Sequence, residues 1–251
     1  MSTTSHPLGI DIGGSGIKGA PVDLATGQFT RDRLRIETPK VSSPAAVVDI
    51  VAQIAAHFAD DTGDSPVGVT VPAVVTNGVV RTAANIHPAW IGTDARKLLS
   101  DKLGRPVTVV NDADAAGVGE LHYGAARDTR GLVIMSTLGT GIGSALLYEG
   151  VLIPNSELGH LQIDGHEAEH RAAVSVRDSK GLSWAEWAER LQWYYSHVEN
   201  LLGPDLIVVG GGVSRKADKF LPLLHLRAPI VAAQLANSAG IIGAAWVATN
   251  S

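Results

Sequence analysis

Two glycine-rich segments, Asp-Ile-Gly-Gly-Ser-Gly-Ile-Lys-Gly at 11–19 and Thr-Leu-Gly-Thr-Gly-Ile-Gly-Ser at 137–144, constrain the fold more than any other feature of this chain. They share Gly-Ser/Thr-Gly-Ile, and Gly14 matches Gly139 at an offset of 125 in 251 residues. The first also spells G-x-G-x-x-G over Gly14–Gly19, a dinucleotide fingerprint that requires a helix immediately after it. Instead the chain runs on through a short, Pro-containing, β-like stretch, Ala20 to Leu24, and a turn at Ala25 to Gln28. The second segment continues in the same way through Ala145 to Tyr148, a turn at Glu149–Gly150, and Val151 to Ile153. Both are predicted to join strand to strand, which implies two related halves. Such a turn can aim backbone N–H groups at phosphate oxygens, or it can be an ordinary tight hairpin. Two similar turns favour phosphate. A P-loop is excluded, since no G-x-x-x-x-G-K-S/T string occurs.

The length suits two compact α/β lobes or one large one, and 45% hydrophobic residues supply the cores. A net charge of −5 gives no general affinity for nucleic acid, so no nucleic-acid partner is expected. Arg31, Arg33 and Arg35 alternate along a predicted strand and read as a solvated face. With no cysteine there are no disulfides or thiolate metal sites, which is compatible with a reducing cytoplasm. Residues Met1 to Pro7 lack the apolar core of a signal peptide, and no apolar run is long enough to span a bilayer. A cytoplasmic protein without a membrane partner is expected.

Along the chain, Leu8 to Ile12 reads as a buried strand and Leu34 to Thr38 as the third strand of a meander. Ser43-Pro44 starts a helix that Thr62-Gly63 closes, and a second helix covers Asp94 to Leu103 with Gly104 as its stop. Val107 to Val110 is an apolar strand that delivers Asn111, Asp112 and Asp114 to its C-terminal end, before a helix over Ala115 to His122. Ligands gather at such strand ends, although an Asp there also serves as a helix cap. Trp184 to Leu202 is an amphipathic helix whose stripe, Trp187, Leu191, Tyr194, Val198 and Leu201, is core or a subunit contact. Leu206 to Val209 enters Gly210-Gly211-Gly212-Val213-Ser214, after which a helix is expected, and a last helix with small residues covers about Ser238 to Ala248.

With these pieces placed, the order Asp11-x-Gly-Gly-Ser, Asn85, Asn111-Asp112, Thr137-Leu-Gly-Thr-Gly-Ile-Gly, Glu157-x-Gly-His160 and Gly210-Gly-Gly resembles the ROK family of sugar kinases and repressors. That family lies within the sugar kinase, heat-shock chaperone and actin superfamily. Gly13 to Gly19, Arg81 to Ile86 and Ala168-Glu169 are similar, more narrowly, to its polyphosphate glucokinases. The resemblance implies two actin-like (RNase H-like) α/β lobes with mixed sheets flanked by helices and a cleft between them. The lobes would be 1–110 and 111–251, with the final helix, about 236–251, packing back on the first.

By the same resemblance Asp112 is the catalytic base toward the C6 hydroxyl of glucose, and the sugar is held by Asn85, Asn111, Glu157, His160 and Glu169. A carbohydrate ring needs several donors and acceptors around it, which this set offers. His160 reads equally as a structural residue. The donor phosphates fall to Asp11, Gly13, Gly14, Ser15, Gly16 and Lys18 of the first turn, to Thr137, Gly139, Thr140 and Gly141 of the second, and to Gly211 and Gly212. Asp11 holds Mg²⁺ directly or through water. Lys18 touches the donor or points outward, and Arg215, Lys216 and Lys219 serve a donor or form a solvated face. The donor implied is inorganic polyphosphate, with ATP or GTP also open, and the assembly implied is a homodimer.

The chain departs from the family where many members carry a cysteine-rich zinc motif. Here Asp164 to His170 occupies that stretch, and His166, Glu167 and His170 fit no dependable zinc spacing, so no structural zinc is expected. The competing readings are a strictly ATP-dependent hexose kinase, a sugar-sensing repressor, an actin-like ATPase and an exopolyphosphatase. A repressor needs a DNA-binding domain ahead of the first strand, which begins near residue 8. An ATPase has no use for Asn85 and the Glu157–His160 cluster.

Overall fold

The computed structural model describes residues 5–84 and 86–250. The chain forms two compact units, one built from residues up to 119 together with those from 238 onward, the other from 120–237. In chain order the first holds β1 (Leu8–Gly13), β2 (Gly16–Asp23), β3 (Gln28–Phe29), β4 (Leu34–Ile36), α1 (Pro44–His57) and α2 (Ala59–Thr62). It continues through β5 (Val67–Val71), β6 (Val75–Thr76), β7 (Val79–Val80), α3 (Ala95–Leu103), β8 (Val107–Asn111) and into α4 (Asp112–Tyr123). The second holds β9 (Leu132–Leu138), β10 (Ile142–Tyr148), β11 (Val151–Ile153), β12 (Gln162–Ile163), β13 (His166–Glu167), α5 (Glu169–Ala172) and α6 (Val174–Lys180). It ends with α7 (Trp184–Leu202), β14 (Leu206–Gly210) and β15 (Ile230–Ala232), after which α8 (Ala239–Asn250) returns to the first unit.

Each unit is built on one mixed sheet. In the first the order is β3-β2-β1-β5-β8, with β4 also on β2; in the second it is β11-β10-β9-β14-β15. Both begin with an antiparallel hairpin, β1–β2 or β9–β10, and then add two strands parallel to its first member. The two glycine-rich segments are the turns of those hairpins. The α/β class and the twofold repetition expected from the sequence are therefore present at the level of strand order.

The first core follows the two-residue period of β1. Leu8, Ile10 and Ile12 pack with Val47, Val51 and Ile54 of α1 and Leu99 of α3, all fully or almost fully buried. The helices begin where the sequence indicates, because Ser43 accepts from the Ala46 amide ahead of Pro44, and Asp94 accepts from the Lys97 amide at 2.8 Å. The helix expected to run to Thr62 breaks at Phe58, leaving α1 and the single turn of α2.

On the other face of the sheet, Gly9 and Gly68 sit side by side in register, and α8 lies directly on them. A Cβ at Gly9 would overlap the carbonyl oxygen of Ile241, and one at Gly68 that of Ala244. Gly243 of α8 lies just as tightly against Ala115 of α4, and Gly119 against Ala239. These contacts bind the first two turns of α4 to α8. The division between units accordingly falls inside α4, after Gly119, rather than ahead of residue 111.

In the second unit the stripe of α7 is core. Trp187, Leu191, Tyr194 and Val198 are buried with Ile134, Ile207 and Phe220, while Leu201 at the helix end is 66% exposed. The Tyr195 hydroxyl donates to Ser136 Oγ at 3.0 Å, which satisfies two buried polar groups at once. The helix expected after the Gly210–Ser214 run is instead a 3₁₀ stretch within Gly212–Lys219 that is broken by a kink at Lys216. The Ser214 amide and hydroxyl both donate to the Gly211 carbonyl, at 3.1 and 2.8 Å, and this tightens the first turn.

Candidate active site

In the first unit Asp11 faces the side chains that strand register places beside it, Thr70 on β5 and Lys18 on β2. The Thr70 hydroxyl donates to Asp11 Oδ1 at 2.9 Å, and Lys18 Nζ lies 3.7 Å from Oδ2. The turn itself is Gly14–Ser15, closed by the Gly13–Gly16 pair. Its carbonyls are held from outside: Thr38 Oγ1 donates to Gly13 and Arg35 Nη2 to Ser15, each at 2.5 Å. Arg35 lies across from Lys18 on β4, with its guanidinium over the space that a side chain at Gly16 would fill. The three alternating arginines are all exposed, as a solvated face requires, but they differ in what they touch. Arg31 is paired with Asp61 at 3.0 Å, whereas Arg35 brings its charge to the glycine turn.

At the end of β8, the cap of α4 is Asn111. Its Oδ1 accepts from the amides of Ala113 and Asp114 at 2.8 and 3.0 Å, and its Nδ2 donates to the Ala73 carbonyl at 3.0 Å. Asp112 Oδ1 shares the first of these amides, accepting from Ala113 at 2.9 Å, so Asn111 is the main cap and Asp112 assists it. Asp112 is the half-buried first residue of α4, and Asp114 is buried. Asn85 lies outside the described residues, as does part of the Met1–Pro7 segment.

In the second unit the turn of β9–β10 is Gly139-Thr140-Gly141, closed by a bond from the Gly139 amide to the Gly141 carbonyl. Ser175 of α6 takes up two of its carbonyls, donating from its amide to Gly139 and from its hydroxyl to Thr140. Thr137 pairs with Gly210, so Gly211 and Gly212 leave the sheet beside this turn. Lys216 lies 5.9 Å from the Trp184 ring and Lys219 is paired with Asp218, whereas Arg215 is exposed.

Glu157, His160 and Glu169 come together in the same unit. Buried Ser144 fastens the first two, donating to the Ser156 carbonyl and accepting from the Leu158 amide, both at 2.9 Å. Gly159 sits so close to β10 that a Cβ would overlap the Ile142 carbonyl, and the 3₁₀ turn Leu158–His160 is thereby fixed on the sheet. Glu169 Oε2 accepts from the Ile142 amide at 3.0 Å. Around the imidazole, Glu157 Oε2 lies 3.8 Å from Nε2, and Glu167 Oε2 and Glu169 Oε1 lie 3.3 and 3.9 Å from Nδ1. Burial pushes the Glu157 carboxyl above its ordinary pKa, assisted by Glu169 and opposed by His160. Burial acts to lower His160, but the bond to Glu167 and the charges of Glu169 and Glu157 outweigh it, so its pKa is raised.

Glu167, which the sequence offered only as part of a doubtful metal set, thus belongs to this cluster. His160, Glu167 and Glu169 each bring an N or O atom within 4.8 Å of the others. Two other residues that sequence reasoning passed over are Thr70 and Ser175. Neither stands in a motif; each is placed by its strand or helix partner. Among the described residues no helix is long and apolar enough to cross a membrane.

The ROK family model matches residues 7–173. The polyphosphate glucokinase of Mycobacterium tuberculosis H37Rv is 51% identical over 97% of this chain and 91% of that protein. The chain belongs to the ROK family. Another relative, the polyphosphate glucokinase of Mycobacterium leprae, is 51% identical over 99% of this chain and 76% of its own length. Among solved structures, the inorganic polyphosphate/ATP-glucomannokinase of Arthrobacter sp. strain KM superposes with a TM-score of 0.95 at 50% identity, covering 98% of this chain and 99% of that one. A ROK glucokinase from Streptomyces griseus shares the fold, with a TM-score of 0.85 at 23% identity over 98% of this chain and all of that one. The actin-like α/β class expected from the sequence is the class of these ROK kinases.

Proposed function

We propose that this chain is a sugar kinase that transfers the terminal phosphoryl group of inorganic polyphosphate to the C6 hydroxyl of glucose. The observation that carries the reading is the match, at half identity and nearly full length, to polyphosphate glucokinases of the same family. The product, glucose 6-phosphate, enters carbohydrate breakdown.

Asp112 accepts the C6 hydroxyl proton as that oxygen forms its bond to the terminal phosphorus. The bridging P–O bond breaks, and the chain leaves one phosphate shorter. General-base help of this kind is worth about 10²- to 10⁴-fold. Alignment and charge neutralisation carry the rest, since phosphoryl transfer is loose in character. Glu157, His160 and Glu169, with Asn85 and Asn111, pair with the sugar hydroxyls. Gly13 to Gly16 with Lys18, Thr137 with Gly139 to Gly141, and Gly211 with Gly212 meet the donor phosphates. The charges of Lys18 and Arg35 beside the first turn favour a long inorganic anion, which has no base to stack. ATP is a second donor, by analogy with the polyphosphate/ATP-glucomannokinase of Arthrobacter.

Asp11 suits Mg²⁺, because it offers hard carboxylate oxygens already oriented by Thr70. When bound there, the ion supplies neutralisation of charge on the donor phosphates. We place the enzyme in the cytoplasm, in accord with a chain free of cysteine. We assign it as a homodimer, supported by the exposed apolar residues Tyr148, Val151 and Ile153 on the outer strand pair β10–β11, to be checked by light scattering.

A coupled assay of glucose 6-phosphate with polyphosphate or ATP as donor, each with and without glucose, tests the reading. Product is expected from polyphosphate only when glucose is present; phosphate release without sugar would assign a hydrolase. The Asp112→Ala variant is expected to bind glucose but lose about 10²- to 10⁴-fold in kcat. Near-normal turnover in it excludes the assigned base.

A further inference from the structure

Three carboxylates surround His160, and only one of them is committed to the ring. Glu169 already accepts from the Ile142 amide, and the oxygen it turns to His160 lies 3.9 Å away. Glu157 faces Nε2, the opposite edge of the ring, at 3.8 Å. Glu167 Oε2 lies nearest, 3.3 Å from Nδ1.

The element that carries Glu167 is built to hold one position. β12 and β13 pair Gln162 with Glu167 and Ile163 with His166 across the turn Asp164–Gly165. Both turn residues have positive φ, 51° and 75°, as an Asp-Gly hairpin turn requires. Ile163, 3% exposed, anchors the hairpin in the core of the second unit, and Trp193 Nε1 donates to Asp164 Oδ2 at 2.9 Å to pin the tip. The Ala168 amide donates to the Leu161 carbonyl and closes the base of the hairpin. So short a hairpin, held at tip, middle and base, fixes where its last residue points.

We propose that Glu167 is a positioning residue for sugar binding: its carboxylate accepts the Nδ1–H of His160, orients the ring, and leaves Nε2 as the acceptor for a sugar hydroxyl. A carboxylate on one ring nitrogen selects the tautomer and raises the basicity of the other. The inference rests on the sugar-kinase reading given above. The charged groups facing the imidazole are Glu157, Glu167 and Glu169, and His170 lies beside Glu167, its Nε2 3.6 Å from the same Oε2. Neutral His160 is the binding form, so weakening of glucose binding on the acid side reports its titration.

The test compares the wild type with Glu167→Ala and Glu167→Gln. Glucose KM and kcat are measured at saturating polyphosphate across pH, and donor-free glucose Kd by calorimetry with a chelator present. Glu167→Ala is expected to raise KM and Kd about tenfold with kcat nearly unchanged, the scale of losing an orienting partner of a ligand-binding histidine. Glu167→Gln keeps an acceptor oxygen and is expected to recover most of the affinity above neutral pH. Its acid limb should move to lower pH, because the negative charge that favoured protonated His160 is gone. An unchanged glucose KM and Kd in Glu167→Ala overturns the proposal. So does a Glu167→Gln variant as weak as Glu167→Ala with an unmoved acid limb, the mark of a merely structural role. Wild-type binding that returns only when zinc is added assigns the cluster to a cation and also overturns it. A wild type that binds glucose but phosphorylates nothing defeats the kinase reading and leaves the Kd comparison readable; one that binds no glucose defeats both.

Discussion

The two glycine hairpins begin from nearly the same string and end in different surroundings. Around Gly14–Ser15 the neighbours are cationic or hydroxyl donors, Arg35 and Thr38 on the turn carbonyls and Lys18 beside Asp11. Around Gly139–Gly141 they are Ser175 on the carbonyls and Glu169 on the amide of Ile142 just past the turn. A similar string thus folds as a two-residue turn in the first and a three-residue turn in the second, and the two serve different ends. The first hairpin is set among positive charge, while the second is fastened through Glu169 to the cluster of Glu157 and His160.

The sharpest way to break this contrast is Glu169→Ala. It removes a sugar acceptor and leaves the Ile142 amide unpaired, a cost of about 1–3 kcal/mol. Steady-state kinetics should show glucose KM rising on the order of 100-fold, with thermal melting lowered by roughly 2–4 °C per kcal/mol. A larger change in polyphosphate KM than in glucose KM would mean that the second hairpin is a donor element only.

Next comes Arg35→Met, which strips charge from the first hairpin. Polyphosphate KM should rise about tenfold at low salt, with the difference shrinking as ionic strength approaches 1 M and glucose KM unmoved. An effect indifferent to salt would make Arg35 a clamp on the Ser15 carbonyl rather than a source of charge.

Ser175→Ala should do less, raising donor KM by about threefold for the loss of one neutral hydrogen bond. A variant with wild-type KM for both donor and glucose would show that this turn keeps its shape unaided.

The smallest effect concerns pH. Because burial raises the Glu157 carboxyl in the folded state, its contribution to stability is present in full below the ordinary carboxylate pKa and is lost as pH rises through the raised value. Glu157→Gln should therefore melt at or slightly above the wild type near pH 7 and match it near pH 4, while losing glucose affinity. A variant less stable at neutral pH would show that ionised Glu157 supports the second unit.

Much of the architecture was legible because it depends on local rules. Period-two apolar strands, Ser43-Pro44, Asp94, Gly104 and the two glycine turns each announce their element. The functional surroundings were less legible, because they depend on strand register. Nothing near Arg35 in sequence says that β4 will pair with β2 and place a guanidinium at Gly16. Glu167 was nearer to view: Asp164-Gly165 is a hairpin dipeptide, and reading it as one would have carried Glu167 back toward His160. Asn111 shows the reverse case, a residue chosen for the sugar whose amide is largely engaged in capping α4 and tethering Ala73. The 3₁₀ segment after Gly211 was missed because a backbone and side-chain bond to one carbonyl leaves no periodic trace.

The groove formed by Gly9 and Gly68 has a consequence for biosynthesis. The helix that fills it leaves the ribosome only after every strand of the second sheet has been made, so the earliest strands to emerge wait longest for their cover. During elongation they present bare backbone where the mature protein has a helix, and a bulkier residue at either position would go unnoticed until α8 has been made.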